Sequence, residues 1–166
     1  MKKFIQTKGV LVAMIAIVCG LIGIPILFWF SSVTVIGVGT LFIMLFVSGL
    51  LGLFQWKYVK QDIDMGYNQF AMYAFVGFGM CFVNFILLLN YTFKINSYSE
   101  TYNFSRNGFY NQIIIPDESR HIALERTLST YISEHADAAA FSAKKVTITF
   151  DTGLFGFDKI RECKFN

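Results

Sequence analysis

Charge is what the first half of this sequence lacks. Residues 9–56 contain no Asp, Glu, Lys or Arg, and residues 1–93 contain only Lys2, Lys3, Lys8, Lys57, Lys60, Asp62 and Asp64. With 55% hydrophobic and 15% charged residues over 166 positions, the chain is too apolar for an ordinary soluble domain and too short for a multidomain enzyme. Cysteine is scarce as well. Cys19 and Cys81 lie in apolar runs and Cys163 stands alone, which excludes a disulfide framework. No glycine-rich loop follows a strand-like run and no Cys/His spacing fits zinc, so neither a cofactor nor a metal is expected. The last 73 residues carry nine basic and nine acidic groups, which leaves no positive field for the phosphates of a nucleic acid.

Uninterrupted apolar length is what the first half has. The 48 uncharged residues from position 9 to 56 would reach ~72 Å as one helix, against a hydrocarbon core of ~30 Å. One crossing cannot hold them; two can. Ser31-Ser32 directly follow Trp29-Phe30, and hydroxyls beside an indole suit the membrane–water boundary, so the break is placed there. The expected spans are residues 10–30, 33–54 and 70–91, with Pro25 as a kink position in the first. Lysines before the first span and after the second, with none in the Ser31-Ser32 turn, put the N-terminus in the cytoplasm and everything after Tyr91 outside. Lys2-Lys3 before an apolar run also resembles the start of a signal peptide. Val18 before Cys19 is too large for a lipoprotein cleavage site, and the apolar run continues to Phe30, so the segment is read as an uncleaved anchor.

No charged residue lies within the spans, so they are expected to hold no ion path or proton relay. Ala16 with Gly20, Ser48 with Gly52, and Gly77 with Cys81 stand at the spacing that lets helix backbones approach. Asn84 is strongly polar at depth and is read as an interhelical hydrogen bond worth ~0.6–2 kcal/mol. A ligand or gate role is the rival reading.

Beyond Lys94 the pattern changes to alternation with turn residues. Asn107-Gly108 between residues 98–105 and 109–115 is a hairpin signal, since a type I′ turn needs two positive φ angles. Tyr98, Tyr102 and Phe104 form a ladder on one face. Pro116 ends the second strand, and Asp117-Glu118 suit a helix first turn. The helix is expected to run to His135 with Leu124, Leu128, Tyr131 and Ile132 inward, and with Glu118, Glu125, Arg126 and Ser133 on a solvated face. Residues 137–142 read as a connection, 145–150 as a strand and 157–165 as its return. The fold class is therefore membrane α-helical with three transmembrane helices (residues 1–93) plus a small α+β extracytoplasmic domain in the order ββαββ (residues 94–166). A 73-residue domain has a core that rarely supplies more than ~3–5 kcal/mol, so it needs the membrane half, self-association or a partner.

Three constellations invite chemistry. Phe150-Asp151-Thr152-Gly153, after the alternating Val146, Thr147, Ile148 and Thr149, resembles the D-T-G loop of the aspartic proteases. The resemblance implies an aspartate that shares a proton with its mate and activates water. Such a protomer needs a long β-rich stretch after the loop, and only 13 residues follow Gly153. The simpler reading is a β-turn with Gly153 at positive φ. Glu118 and His121 fit E-x-x-H, with Glu125 on the same face. A di-iron centre needs two such motifs, so this too reads as a solvated face. Cys163 beside His121 or His135 would be a thiol nucleophile, but their spacing does not support one. Asn90-Tyr91-Thr92 and Asn103-Phe104-Ser105 match the glycosylation sequon, relevant only in a secretory eukaryotic host.

The chain thus reads as a multi-pass protein of the plasma (bacterial inner) membrane. Its role is that of an accessory or scaffolding subunit, not an enzyme, presenting the outer domain to another membrane or extracytoplasmic protein or to itself. Tyr98, Tyr102, Phe109 and Tyr110 are the partner-binding candidates. A sensor or ligand-binding receptor subunit is the alternative, and a membrane hydrolase using Asp151 or His121 a more distant one.

Overall fold

The computed structural model describes residues 2–107, 110–114, 118–135 and 144–166, and side chains within 8–103, 122–132 and 144–166. Helix α1 (Lys2–Val33) leads into a two-residue strand, β1 (Thr34–Val35), and then helix α2 (Val38–Leu53) with a single-turn helix α3 (Trp56–Val59). A third rod is built from α4 (Tyr67–Tyr73), a π-helical turn (Ala74–Gly79) and α5 (Met80–Thr92). The remainder comprises β2 (Lys94–Asn107), β3 (Tyr110–Ile114), α6 (Glu118–His135), β4 (Lys145–Gly153) and β5 (Asp158–Phe165). Three helical stretches, Lys8–Val33, Val38–Val59 and Tyr67–Thr92, are long and apolar enough to cross a membrane.

The break between the first two stretches lies at residues 34–37, not at Ser31-Ser32. Serine need not end a helix: Ser32 Oγ donates to Trp29 O at 2.8 Å, so the hydroxyl is satisfied within the helix. The chain turns instead at Thr34-Val35, whose branched side chains favour extended backbone, and Ile36 N donates to Thr34 O at 2.9 Å. Helix α1 runs through Pro25 without interruption.

The chain forms two compact units, Met1–Phe28 with Gly39–Ile86, and Trp29–Val38 with Leu87–Asn166. In the first, Ile63, Phe70 and Ala74 are buried among Val12, Leu53, Trp56, Val59 and Met65. Helix approach there is set by size. A Cβ on Gly77 would lie 2.8 Å from Ala16 Cα, closer than real carbon contacts allow.

The second unit is an antiparallel sheet in the order β1-β5-β4-β2-β3, packed on α6. Leu124, Leu128 and Ile132 of α6 meet Val146, Ile148 and Phe150 of β4, all six buried. The alternating β4 residues Thr147 and Thr149 face the other way. Their hydroxyls pair across the ladder with Thr101 at 3.0 Å and Ser99 at 2.9 Å, giving one dry and one wet face. Strand β1 was not foreseen. Paired as Thr34↔Lys159 and Val35↔Asp158, it adds residues 29–38 to the unit, beyond the 73-residue tail.

Arg126 departs from the solvated face expected of it. Its Nη2 donates to Ile36 O at 3.1 Å, and the buried Nε has no hydrogen-bond partner among the described residues. Burial lowers its pKa from the ordinary value, though a guanidinium stays charged. Thr127 beside it is buried and donates to Ala123 O at 2.9 Å, with Thr34 O at 3.3 Å. These bonds fasten α6 to the β1 segment. The turn residue Gly108, Phe109, Pro116-Asp117 and the connection at 137–142 lie outside the described residues, as do the side chains of Phe104, Tyr110, Glu118, His121, Ser133 and His135.

Candidate functional site

The site is assembled in the second unit, where the last turns of two membrane-length helices meet the sheet. Trp29 and Phe30 of α1 and Tyr91 of α5 form an aromatic cluster, with ring centroids 4.9, 5.5 and 6.1 Å apart. Lys159 of β5 reaches this cluster. Its Nζ donates to Tyr91 O at 3.0 Å and lies 4.3 Å from the Tyr91 ring centroid. A cation at a helix C-terminus meets unpaired carbonyls and the negative end of the helix dipole, and an aromatic face adds a second attraction.

One residue earlier, Asn90 is buried and clamps the β4–β5 turn. Its Nδ2 donates to Phe157 O at 2.9 Å, and its Oδ1 accepts from Phe155 N at 2.9 Å and Phe157 N at 3.3 Å. An amide so engaged is no glycosylation acceptor. It also explains the D-T-G glycine, though not as the sequence suggested. Asp151-Thr152-Gly153 is the end of strand β4, not a turn, and the positive φ of 80° belongs to Gly156. Gly153 is needed because a Cβ there would run into the Asn90 carbonyl and amide.

Asp151 is buried, pairs with Lys94 Nζ at 2.9 Å and accepts a short bond from Ser97 Oγ. Burial by itself would raise its pKa. The Ser97 hydroxyl, the Lys94 ammonium and the Arg161 charge outweigh this and hold the carboxyl below its ordinary value. A protease dyad requires an aspartate coupled to a second carboxyl, whereas this one is held ionised by cations. The neighbouring Asp158 accepts from Tyr98 Oη at 2.7 Å and Thr152 Oγ1 at 2.7 Å.

Between α6, the end of α1 and strand β5 lies a cleft of about 350 Å³. Its charged walls are Lys159, Arg161 and Asp151, and its hydroxyl walls include Ser32, Thr127 and Tyr131. Arg161 owes its position to a β-bulge. Thr149 pairs with Glu162 and Phe150 with Ile160, so Arg161 is the extra residue of β5, and a bulge redirects its side chain.

The other sequence-derived candidates divide by location. Tyr98 and Tyr102 pack on the core, Tyr98 stacked on Phe150 at 5.2 Å and Tyr102 bonded to Glu100. Phe109 and the Tyr110 side chain are among the undescribed positions named above. Within the first unit, Ala16 faces Gly77, Gly20 faces Val76, and Gly52 faces Ala74 and Phe78, while Ser48 is buried. Asn84 Nδ2 donates to Gly23 O at 2.9 Å, leaving its buried Oδ1 unpaired among the described residues. Cys81 has the Cys19 thiol within hydrogen-bonding reach. Burial, with the Glu162 charge, pushes the Cys163 thiol up to about 12, so it stays protonated and a weak nucleophile at neutral pH. Among the described residues no three His, Cys, Asp or Glu side chains converge as a metal site.

Lys159 and Arg161 were not singled out from the sequence, and Asn90 was noted only as part of a sequon. The one signal available was Lys159-Ile160-Arg161, basic residues alternating on an expected strand beside Asp158. No protein-family model, curated protein or solved structure matches the chain.

Proposed function

We infer that this chain is an accessory or scaffolding subunit of a plasma (bacterial inner) membrane assembly. Three spans anchor it with the N-terminus in the cytoplasm, and a ββαββ module lies outside and docks a partner protein. The observation that carries this reading is the open edge of β2. Strand β2 pairs with β4 over Lys94–Asn103 but with β3 only over Asn103–Asn107, so among the described residues the ladder on the outer side of β2 stops at Asn103 and does not extend along residues 94–102. Most of these residues are exposed, Ile95 at 65%.

An open strand edge offers alternating N–H and C=O groups to an incoming strand, which supplies affinity by ladder hydrogen bonds and specificity by side-chain alternation. Lys94 and Glu100 on that edge oppose indiscriminate pairing, and Asn96 Oδ1 already accepts the Ser97 N–H at 2.8 Å. The size argument for a partner loses weight, because residues 29–38 enlarge the unit. The edge argument does not depend on size.

The test places a photo-crosslinking amino acid at Ile95 or Ser99 in intact cells, with the exposed Ile122 on α6 as control. Edge docking gives one discrete adduct from the β2 positions and none from Ile122. Identical patterns from all three positions, or no adduct, would remove the reading.

A further inference from the structure

We propose that the cleft beside β5 is a binding site for a phosphate-bearing anion, with Arg161 and Lys159 as its recognition residues. A cleft of about 350 Å³ is at the small end of the range that holds small-molecule ligands, ~300–1,000 Å³. Its sign is set by pairing. Lys159 and Arg161 against the single carboxylate of Asp151 leave the walls net positive, and that carboxylate is also held by Lys94 and Ser97, which lie outside the lining. Of the other nearby carboxylates, Asp158 accepts from the Tyr98 and Thr152 hydroxyls at 2.7 Å, and Glu162 pairs at 3.6 Å with Lys164.

The donors are arranged for recognition and not only for attraction. Lys159 spends one of its three N–H donors on Tyr91 O, which fixes where the ammonium stands. Arg161, exposed on its bulge, contributes a planar fork that matches two phosphate oxygens. Ser32 and Tyr91 put the cleft at the ends of helices long enough to cross a bilayer, where phospholipid headgroups are found. Soluble phosphomonoesters present the same chemistry, so two sources are compatible with one site. The inference requires no partner protein, and its failure leaves the docking reading standing.

The experiment uses the full chain in dodecyl maltoside micelles, which contain no phosphate, and follows thermal unfolding. In one arm inorganic phosphate or glycerol 3-phosphate is titrated against chloride of equal ionic strength. In the other, phosphatidylglycerol is titrated against the diacylglycerol with the same chains. The expected result is a saturable rise in melting temperature in at least one arm. Arg161→Gln is expected to weaken the apparent affinity about tenfold or more, and Lys144→Gln, at an exposed position outside the cleft lining, to leave it unchanged. A rise with the soluble anions assigns a soluble ligand, and a rise with phosphatidylglycerol alone assigns a headgroup. No rise in either arm would overturn the proposal, and so would equal weakening by Arg161→Gln and Lys144→Gln. Because Arg161 is exposed, its substitution tests binding without unfolding the unit.

Discussion

Asn90 and Asp151 carry more of the second unit than their residue types announce. Asn90 makes three hydrogen bonds to the β4–β5 turn from a buried position. Its replacement by Ala strands two backbone N–H groups, and the expected cost is about 2–4 kcal/mol in a denaturant titration. A loss under about 0.5 kcal/mol, the scatter of surface substitutions, would mean that the clamp is ornamental. For Asp151 the sign of the pH dependence is fixed. Its folded pKa lies below the unfolded one, so its pairing contributes stability in full above the ordinary value of 3.8 and loses it as pH falls through the depressed folded value. Asp151→Asn is therefore expected to lower the melting temperature at pH 7, with the gap to wild type closing as the pH drops below 3.8. A gap that stays constant through that range would show that the carboxylate charge contributes nothing. Both residues were visible in the sequence only as something else, Asn90 as a sequon and Asp151 as part of a protease-like loop. Their hydrogen-bond partners lie 54–67 positions away in the chain, a distance that local pattern does not reach.

Periodicity served better for elements than for their joints. Apolar length located three rods, alternation located β2 and β4, and the stripe at 124, 128 and 132 located the inner face of α6. Joints failed where a residue had two ways to satisfy itself. Ser31-Ser32 suited an interface but also fitted a helix, since a serine hydroxyl can bond back to a carbonyl three residues before. Gly153 suited a turn but was required for close approach, and the turn glycine was Gly156. The bulge that places Arg161 left no local trace, because an extra residue in a strand shows only against its neighbour. In the first unit the element-scale prediction concerns Gly77 in the π-helical turn. Gly77→Leu is expected to destabilise the helix packing by about 2 kcal/mol or more, read by denaturant unfolding in micelles. Gly39→Leu, where a Cβ meets nothing within 4 Å, is the matched control. Equal effects from the two would contradict size-limited approach.

For the molecule as a whole, charge placement and apolar length jointly determine the reading. Three helices of 26, 22 and 26 residues are long enough to cross a hydrocarbon core of ~30 Å. An odd number of crossings with lysines at the first and third flanks would carry the sheet to the opposite side from the N-terminus. Both the docking edge and the headgroup arm of the cleft experiment take their setting from that arrangement. The most direct measurement is a pair of fusions behind Asn166: a phosphatase active only outside the cytoplasm, and a fluorescent protein that matures only within it. The account predicts an active phosphatase and a dark fluorescent fusion. Bright fluorescence with an inactive phosphatase would mean that the C-terminus faces the cytosol, and the proposed arrangement would be wrong.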